Sequence, residues 1–196
     1  MKPGEIPGKI FHYQTYGMNI LTHSLAKIYK YRDFSKSFYR LIENKLAKYI
    51  RAKWSYDIAN FDLHKNAKTS IFGDYCQIKS NALDMARLGW LWLNYGKWKD
   101  IQVIPEKWMK ISTGTSNLIV ENCPRENWNY GMGFWTNDYG LLWPELPRNS
   151  YTASGADGHY ISVFPDFDLV IVQAPGPFFK GERGNRVACF CTGISE

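Results

Sequence analysis

Cysteine and histidine are scarce in this chain of 196 residues, which contains four of each. The cysteines are too few and too irregularly spaced for the disulfide framework of a small secreted domain. Cys189-x-Cys191 lacks the second ligand pair of a zinc site, and no His-x-x-x-His pair occurs. The sequence therefore predicts no metal and no cofactor.

Long apolar runs are also missing. No stretch approaches the roughly 20 apolar residues that cross a bilayer, so no membrane span is predicted. Residues 1–8 contain no apolar signal core. They resemble a loop inside a domain, so we expect the domain to be incomplete at its N-terminus. The sequence does not indicate a cellular compartment.

Basic residues outnumber acidic ones, and the net charge is +6. The basic side chains cluster weakly in residues 27–32 and 45–53, where lysine alternates with aromatic and aliphatic residues. On a helix, this pattern indicates a solvated face beside a buried one. No nucleic-acid-binding motif accompanies these clusters, so a nucleic-acid partner is not predicted.

Aromatic residues are abundant, with Trp 8, Tyr 13 and Phe 11, while overall apolar and charged contents are those of a globular protein. Two interpretations stay open. The aromatic residues fill a large α+β core, or some of them line a cleft for sugars or acyl groups.

Helical periodicity dominates the front of the chain. Apolar residues at three- and four-residue spacing predict helices over about 18–31 and 35–50. A third helix begins after the N-cap residue Asn81, carries Asp84 at its third position and ends before Gly96. Because it is apolar nearly all round, we expect it to be buried on more than one side. Pro105 begins a short fourth helix.

Strand signals dominate the back of the chain. Residues 165–168 form a turn that predicts an antiparallel hairpin between the last two strands. Helices that are separate from an antiparallel sheet indicate an α+β fold. We expect one partial domain over residues 1–175 and an irregular tail over 176–196. The predicted strands are 130–137, 150–154, 159–164 and 169–173.

Four segments, in this order, resemble conserved blocks of the serine hydrolases related to class C β-lactamases and penicillin-binding proteins. Residues 7–21 resemble the block Pro-Gly-x-x-Phe-x-Tyr-Ser-Asn. Residues 81–96 are similar to the helix after the family's Ser-Thr-x-x-Asp-Leu pattern. Residues 130–135 resemble its Tyr-Gly-x-Gly-Trp strand, and residues 153–158 its Lys-Thr-Gly strand. The resemblance implies a β-lactamase/transpeptidase-like fold.

The resemblance also implies roles for particular residues. Acyl transfer needs a nucleophile, a proton acceptor and donors to the oxyanion. Tyr13 falls on the family's catalytic tyrosine, and the backbone N–H of Ala156 on an oxyanion donor. Thr15, Ser154 and Gly155 fall on positions that contact substrate. The implied substrate is a small ester or amide.

The chain departs from the family in three respects. The family's Ser-x-x-Lys precedes the tyrosine block, whereas the Ser-x-x-Lys here begins at Ser24, in the middle of a predicted helix, and is not expected to be the nucleophile. Ala153 replaces a cationic residue that would bind a substrate carboxylate, which favours ester or amide hydrolysis over penicillin chemistry. Asp157 adds a carboxylate where many relatives have a small residue.

We therefore expect part of a serine hydrolase that is inactive alone because its nucleophile is absent. A non-catalytic homologue that binds acyl or cell-wall ligands is the alternative, and a basic surface-binding module is a third hypothesis. If the front of the domain is missing, apolar surface around Trp90 and Trp92 would be exposed, so self-association is also predicted.

Overall fold

A computed structural model describes residues 5–6, 8–14, 17–18, 20–21, 24–25, 28–29, 38–60, 74–155, 158–175 and 186–191. The chain forms two units. The sheet unit comprises Met1–Phe11 and Asn81–Glu196, and the helix–hairpin unit comprises His12–Ser80. Both units contribute residues that the sequence predicts to be functional.

The helix–hairpin unit begins with the first predicted helix, which is confirmed at the described positions between 17 and 29. The second predicted helix is also present, but it contains an unpredicted π-helical turn. The elements that follow residue 37 are α1 (Phe38–Ile42), the π-helical turn (Glu43–Ala47), α2 (Lys48–Ile50), β1 (Ser55–Asn60) and β2 (Asp74–Lys79). The two strands pair antiparallel, and the Tyr56 hydroxyl donates to Glu43 Oε1 at 2.6 Å, which ties β1 to the π-helical turn.

In the sheet unit, α3 (Ala82–Leu93) begins and ends as predicted. The Asn81 side chain accepts a hydrogen bond from the Asp84 N–H at 2.9 Å and donates one to Asp84 Oδ2 at 3.0 Å. This reciprocal cap satisfies a backbone donor that has no partner within the helix. At the other end, Gly96 has a φ of +82° and donates to the Leu91 carbonyl at 2.8 Å. Buried side chains lie around much of the helix, as its composition predicts.

The remaining elements of the sheet unit follow α3. They are β3 (Lys97–Trp98), β4 (Ile101–Gln102), α4 (Glu106–Ser112), α5 (Asn117–Asn122), a 3-10 turn (Arg125–Asn127), β5 (Trp135–Thr136), β6 (Tyr151–Gly155), β7 (His159–Phe164), a second 3-10 turn (Pro165–Phe167), β8 (Leu169–Pro175) and β9 (Arg186–Cys191). Helix α4 starts directly after Pro105, as predicted.

Strands β5 to β9 form one antiparallel sheet in sequence order. The β7–β8 hairpin has the predicted position, with Phe164 paired to Leu169. Its turn is closed by Asp168, which adopts the left-handed conformation at a φ of +46°. This segregation of helices from an antiparallel sheet confirms the α+β class.

The core lies between α3 and the sheet. Apolar side chains from β6, β7 and β8 meet Ala86 and Leu93 of α3, and Trp90 and Trp92 pack against the same cluster. Trp92 contacts Phe134 edge to face, with ring centroids 4.9 Å apart. The two tryptophans are therefore half-buried, which differs from the exposed surface expected around them.

Two predicted strand regions differ from the structure. Regular pairing within 130–137 is confined to Trp135–Thr136, with one isolated bridge between Tyr130 and Trp135. The tail was expected to be irregular, but Arg186–Cys191 forms β9, paired along β8. The expectation failed because Gly-rich flanks obscure the local pattern, and a strand at the sheet edge is stabilised by its pairing partner.

Tyr151 lies in the core, where burial raises the pKa of its hydroxyl. Above about pH 10 the unfolded chain loses this proton while the folded chain retains it. Stability must then fall with rising pH, at up to about 1.4 kcal/mol per pH unit from this group. We expect Tyr151→Phe to leave stability at pH 7 within about 1 kcal/mol and to make the alkaline decline shallower. Urea unfolding from pH 7 to 11 measures this, and equal slopes for both proteins would contradict it.

None of the helices formed by the described residues has the length and apolarity that crossing a bilayer requires.

Candidate functional site

Ser154 and Gly155 occupy the end of β6, where Ser154 is half-buried and Gly155 exposed. They pair with Tyr160 and His159 of β7, respectively. A side chain at Gly155 would approach the His159 Cβ to 3.3 Å, so glycine permits the close pairing seen here. Ala156, the predicted oxyanion donor, and Asp157 lie outside the described residues.

The opposite edge of β6 is only partly covered. Strand β5 pairs with Tyr151 and Thr152 alone. Within the described part of the chain, no strand pairs with residues 153–155 on that edge. A strand edge of this kind presents backbone N–H and C=O groups that can bind an extended ligand. Among the described residues, the predicted substrate residues Ser154 and Gly155 therefore lie on a strand edge that no other strand covers.

Two features fix the geometry of this strand end. Beneath it, Thr152 Oγ1 lies 2.9 Å from Ser162 Oγ and donates to the Ile161 carbonyl at 3.1 Å. Beyond it, Gly158 turns the chain at a φ of +84°, and the Gln173 side-chain amide donates to the Gly158 carbonyl at 2.8 Å. The turn between β6 and β7 is thus held from β8.

Two buried hydroxyls near β6 should respond in opposite ways to removal. Ser150 Oγ is buried and, within the described residues, has no hydrogen-bond partner, so Ser150→Ala should be neutral or stabilising by up to about 1 kcal/mol. Thr152→Val keeps the side-chain shape but breaks the bonds to Ser162 and Ile161, so it should cost about 1–3 kcal/mol. Parallel denaturant titrations measure both changes. A larger loss from the Ser150 variant would contradict the assignment.

Tyr13 belongs to the helix–hairpin unit, and its side chain is 57% exposed. Thr15, the other predicted site residue in this part of the chain, lies outside the described residues. Ser24 is helical, and its hydroxyl donates to the Ile20 carbonyl at 2.8 Å. That bond uses the proton that a serine nucleophile would give to a base.

The Tyr-Gly-x-Gly segment forms a tight turn between Tyr130 and Trp135. The Gly131 N–H donates to the Phe134 carbonyl at 2.8 Å, and Gly133 has a φ of +95°. A Cβ at Gly131 would lie 2.4 Å from the Gly114 carbonyl oxygen, so only glycine fits against that loop. The turn sets the Tyr130 ring between two other aromatic rings, Phe11 at 5.1 Å and Trp135 at 5.0 Å between centroids.

The sheet unit also contains a cavity of about 220 Å³, whose position and lining residues the sequence did not predict. Two parts of the chain form most of its wall, namely residues 8–11 and helix α5. No periodic signal marks it, because α5 has only six residues and residues 8–11 have no regular structure. The lining residues are Gly8, Ile10, Phe11, Ser116, Leu118, Ile119, Cys123, Tyr130 and Gly131.

Apart from the shift at Tyr151, the shifted acid–base groups within the described residues form one exposed pair on α4. The Lys110 ammonium lies 2.5 Å from Glu106 Oε1. Their hydrogen bond lowers the pKa of Glu106 and raises the pKa of Lys110. This spacing of four residues is that of an ordinary surface pair along a helix. Within the described residues, His, Cys, Asp and Glu form no group of three that could hold a metal.

A scan against protein-family models and a search of curated proteins found no match to this chain.

Proposed function

We propose that this chain is part of a serine hydrolase with a β-lactamase/transpeptidase-like fold, which cleaves a small ester or amide through an acyl-enzyme. The observation that carries the proposal is the open edge of β6 at Ser154 and Gly155. It coincides with the last of four segments that resemble the family's blocks in the family's order. The antiparallel sheet with α3 packed on it is compatible with this proposal.

In this proposal the strand edge binds the substrate and Tyr13 moves the proton. The backbone at residues 153–155 hydrogen-bonds an extended substrate, and Ser154 and Thr15 have the substrate-contacting roles that the resemblance implies. The Ala156 N–H donates to the oxyanion that develops as the carbonyl is attacked. Tyr13 accepts or returns a proton, which in such reactions contributes about 10²–10⁴-fold to the rate.

The chain alone is expected to be inactive. Ser24 does not have the properties of a nucleophile, because it lies within a helix and its hydroxyl donates to the Ile20 carbonyl. A serine at the start of a helix would have free N–H groups and the helix dipole to assist it. Ala153 packs against the core and provides no cation at the strand edge, which favours an uncharged ester or amide as substrate.

The DNA upstream of the Met1 codon provides the first test, since the proposal expects an in-frame helix there with Ser-x-x-Lys at its start. A fluorophosphonate probe should then label that serine in the extended protein and leave the 196-residue chain unlabelled. Stoichiometric labelling at Ser24 would overturn the assignment. The absence of any such reading frame would remove the main support for the hydrolase proposal.

In the extended protein, Tyr13→Phe should lower kcat for an activated ester by at least about 100-fold, because the proton carrier is lost. Tyr139→Phe is the matched control. Its ring packs on Trp128 with centroids 5.0 Å apart, and its hydroxyl has no role in the proposed reaction. A similar kcat for both variants would show that Tyr13 does not carry the proton.

The aromatic cavity favours a second candidate function, a non-catalytic homologue that binds acyl or cell-wall ligands. Its apolar lining suits an acyl group. Such ligands should raise the unfolding temperature of the purified chain through linkage, and a flat thermal-shift screen would count against this candidate.

Self-association stays a prediction, which sedimentation of the purified chain tests directly.

A further inference from the structure

The cavity of the sheet unit has the size and lining of a site for one apolar group. An enclosed, dry protein cavity of about 150 Å³ is large enough to bind benzene, and this one, which is partly open to solvent, measures about 220 Å³. Its described lining residues carry no charge. The neighbouring rings of Phe11 and Tyr130 supply an aromatic wall, and Ile10, Leu118 and Ile119 supply an aliphatic one.

A cation is held beside this apolar lining. Lys9 lies between the lining residues Gly8 and Ile10, and Asn122 directly precedes the lining residue Cys123. The Lys9 ammonium donates to Asn122 Oδ1 at 3.0 Å, and Asn122 Nδ2 donates to the Leu118 carbonyl at 3.0 Å. The Asn122 amide therefore fixes the lysine against α5. Because the amide is neutral, it holds the ammonium in place without cancelling its charge.

We propose that this cavity binds a monocarboxylate with a single aromatic ring or a short alkyl chain. The apolar part fills the cavity between Phe11, Tyr130 and Leu118, and the carboxylate pairs with Lys9. This inference gives the second candidate function a site and a ligand class. It does not depend on the hydrolase proposal, because neither Tyr13 nor Ser154 lines the cavity.

Cys123 makes the proposal measurable, because its thiol is free, partly exposed and part of the lining. Phenylacetate should slow alkylation of Cys123 by iodoacetamide. Mass spectrometry of the Cys123 peptide measures the rate, and alkylation of added N-acetylcysteine is the reference. We expect half-protection on the order of 1 mM, since a ligand of this size forms few contacts. The neutral analogue 2-phenylethanol should protect about two- to fivefold less well, because it lacks the ion pair.

Substitutions separate the charge from the cavity. Lys9→Gln should weaken the binding of phenylacetate about two- to fivefold and leave the binding of 2-phenylethanol unchanged. Lys9→Arg should retain the binding of phenylacetate. Leu118 is 56% exposed, so it tolerates polar replacements. Leu118→Asp should weaken the binding of phenylacetate more than its isosteric control Leu118→Asn does, because the aspartate repels the carboxylate. Equal protection by both ligands, or no protection by either, would overturn the proposal. Fluorophosphonate labelling tests the hydrolase proposal separately, because it does not depend on whether the cavity binds either ligand.

Discussion

Asn137→Ala is expected to lower the free energy of unfolding of the sheet unit by about 3–4 kcal/mol. Asn137 is fully buried, and its side chain holds the loop that leads into β6. Its Nδ2 donates to the carbonyls of Trp143, Leu146 and Pro147 at 2.9–3.2 Å. Its Oδ1 accepts from the Trp143 N–H at 2.8 Å. Alanine would remove all of these bonds. The Leu146 carbonyl and the Trp143 N–H would lose their partner in the side chain, whereas the carbonyls of Trp143 and Pro147 would keep bonds from the backbone N–H groups of Leu146 and Ser150.

Asn137→Asp is the matched variant, because it keeps the shape and replaces the donating amide by an oxygen. An ionised carboxylate facing three carbonyl oxygens is repelled and poorly solvated, so at pH 7 it should destabilise at least as much as alanine. Both effects would raise the carboxyl pKa in the folded state. The folded protein then binds the extra proton, and stability should partly recover as the pH falls through that raised pKa.

Guanidinium unfolding of the two Asn137 variants at pH 7 and pH 5 measures these effects. The aspartate variant should gain stability relative to the alanine variant at the lower pH. Losses below about 1 kcal/mol for both variants would place Asn137 among ordinary surface residues and would contradict its assigned role in the loop.

Gly89→Ala is expected to destabilise the protein by about 1–3 kcal/mol, although the same change in a helix usually stabilises by up to about 1 kcal/mol. Gly89 lies where α3 crosses the sheet. A Cβ there would come within 2.5 Å of Val170 Cγ1 and 2.8 Å of Ile161 Cγ2. Both neighbours are stiff β-branched side chains in a packed core, so moving them aside costs free energy.

Two comparisons isolate this steric effect. Gly17→Ala, at a described helical position with open space around the new Cβ, should be neutral or stabilising. In the double variant Gly89→Ala with Val170→Ala, the smaller residue makes room for the new methyl group. The double variant should therefore lose less free energy of unfolding than the sum of the two single variants, by about 0.5 kcal/mol or more. Strict additivity would show that the contact with Val170 is not the cause.

Elements with strong local signals were predictable from the sequence. Helix α3 has a capping asparagine, an acidic residue in its first turn and a glycine after its end, and each of these acts through backbone groups within a few residues. The β7–β8 hairpin was predictable for the same reason, since its turn at 165–168 is local. Ser154 and Gly155 follow from resemblance alone, and their roles stay predictions.

Elements without a local signal were not predictable. Helix α5 is short, β1 and β2 depend on their pairing with each other, and β9 depends on its ladder with β8. The cavity brings residues 8–11 together with Leu118 and Tyr130, which lie more than a hundred residues further along the chain. Periodicity within a window of 11–18 residues does not report such a contact.

The sequence by itself determined the α+β class, the caps of α3 and the position of the β7–β8 hairpin, because these depend on side chains and backbone groups close together along the chain. Only the tertiary structure decided that β5 leaves the end of β6 uncovered, that Asn137 holds a loop from inside the core, and that Lys9 is fixed beside an apolar cavity. Each of these features joins groups that are distant in sequence, so packing and hydrogen bonding across the fold create it.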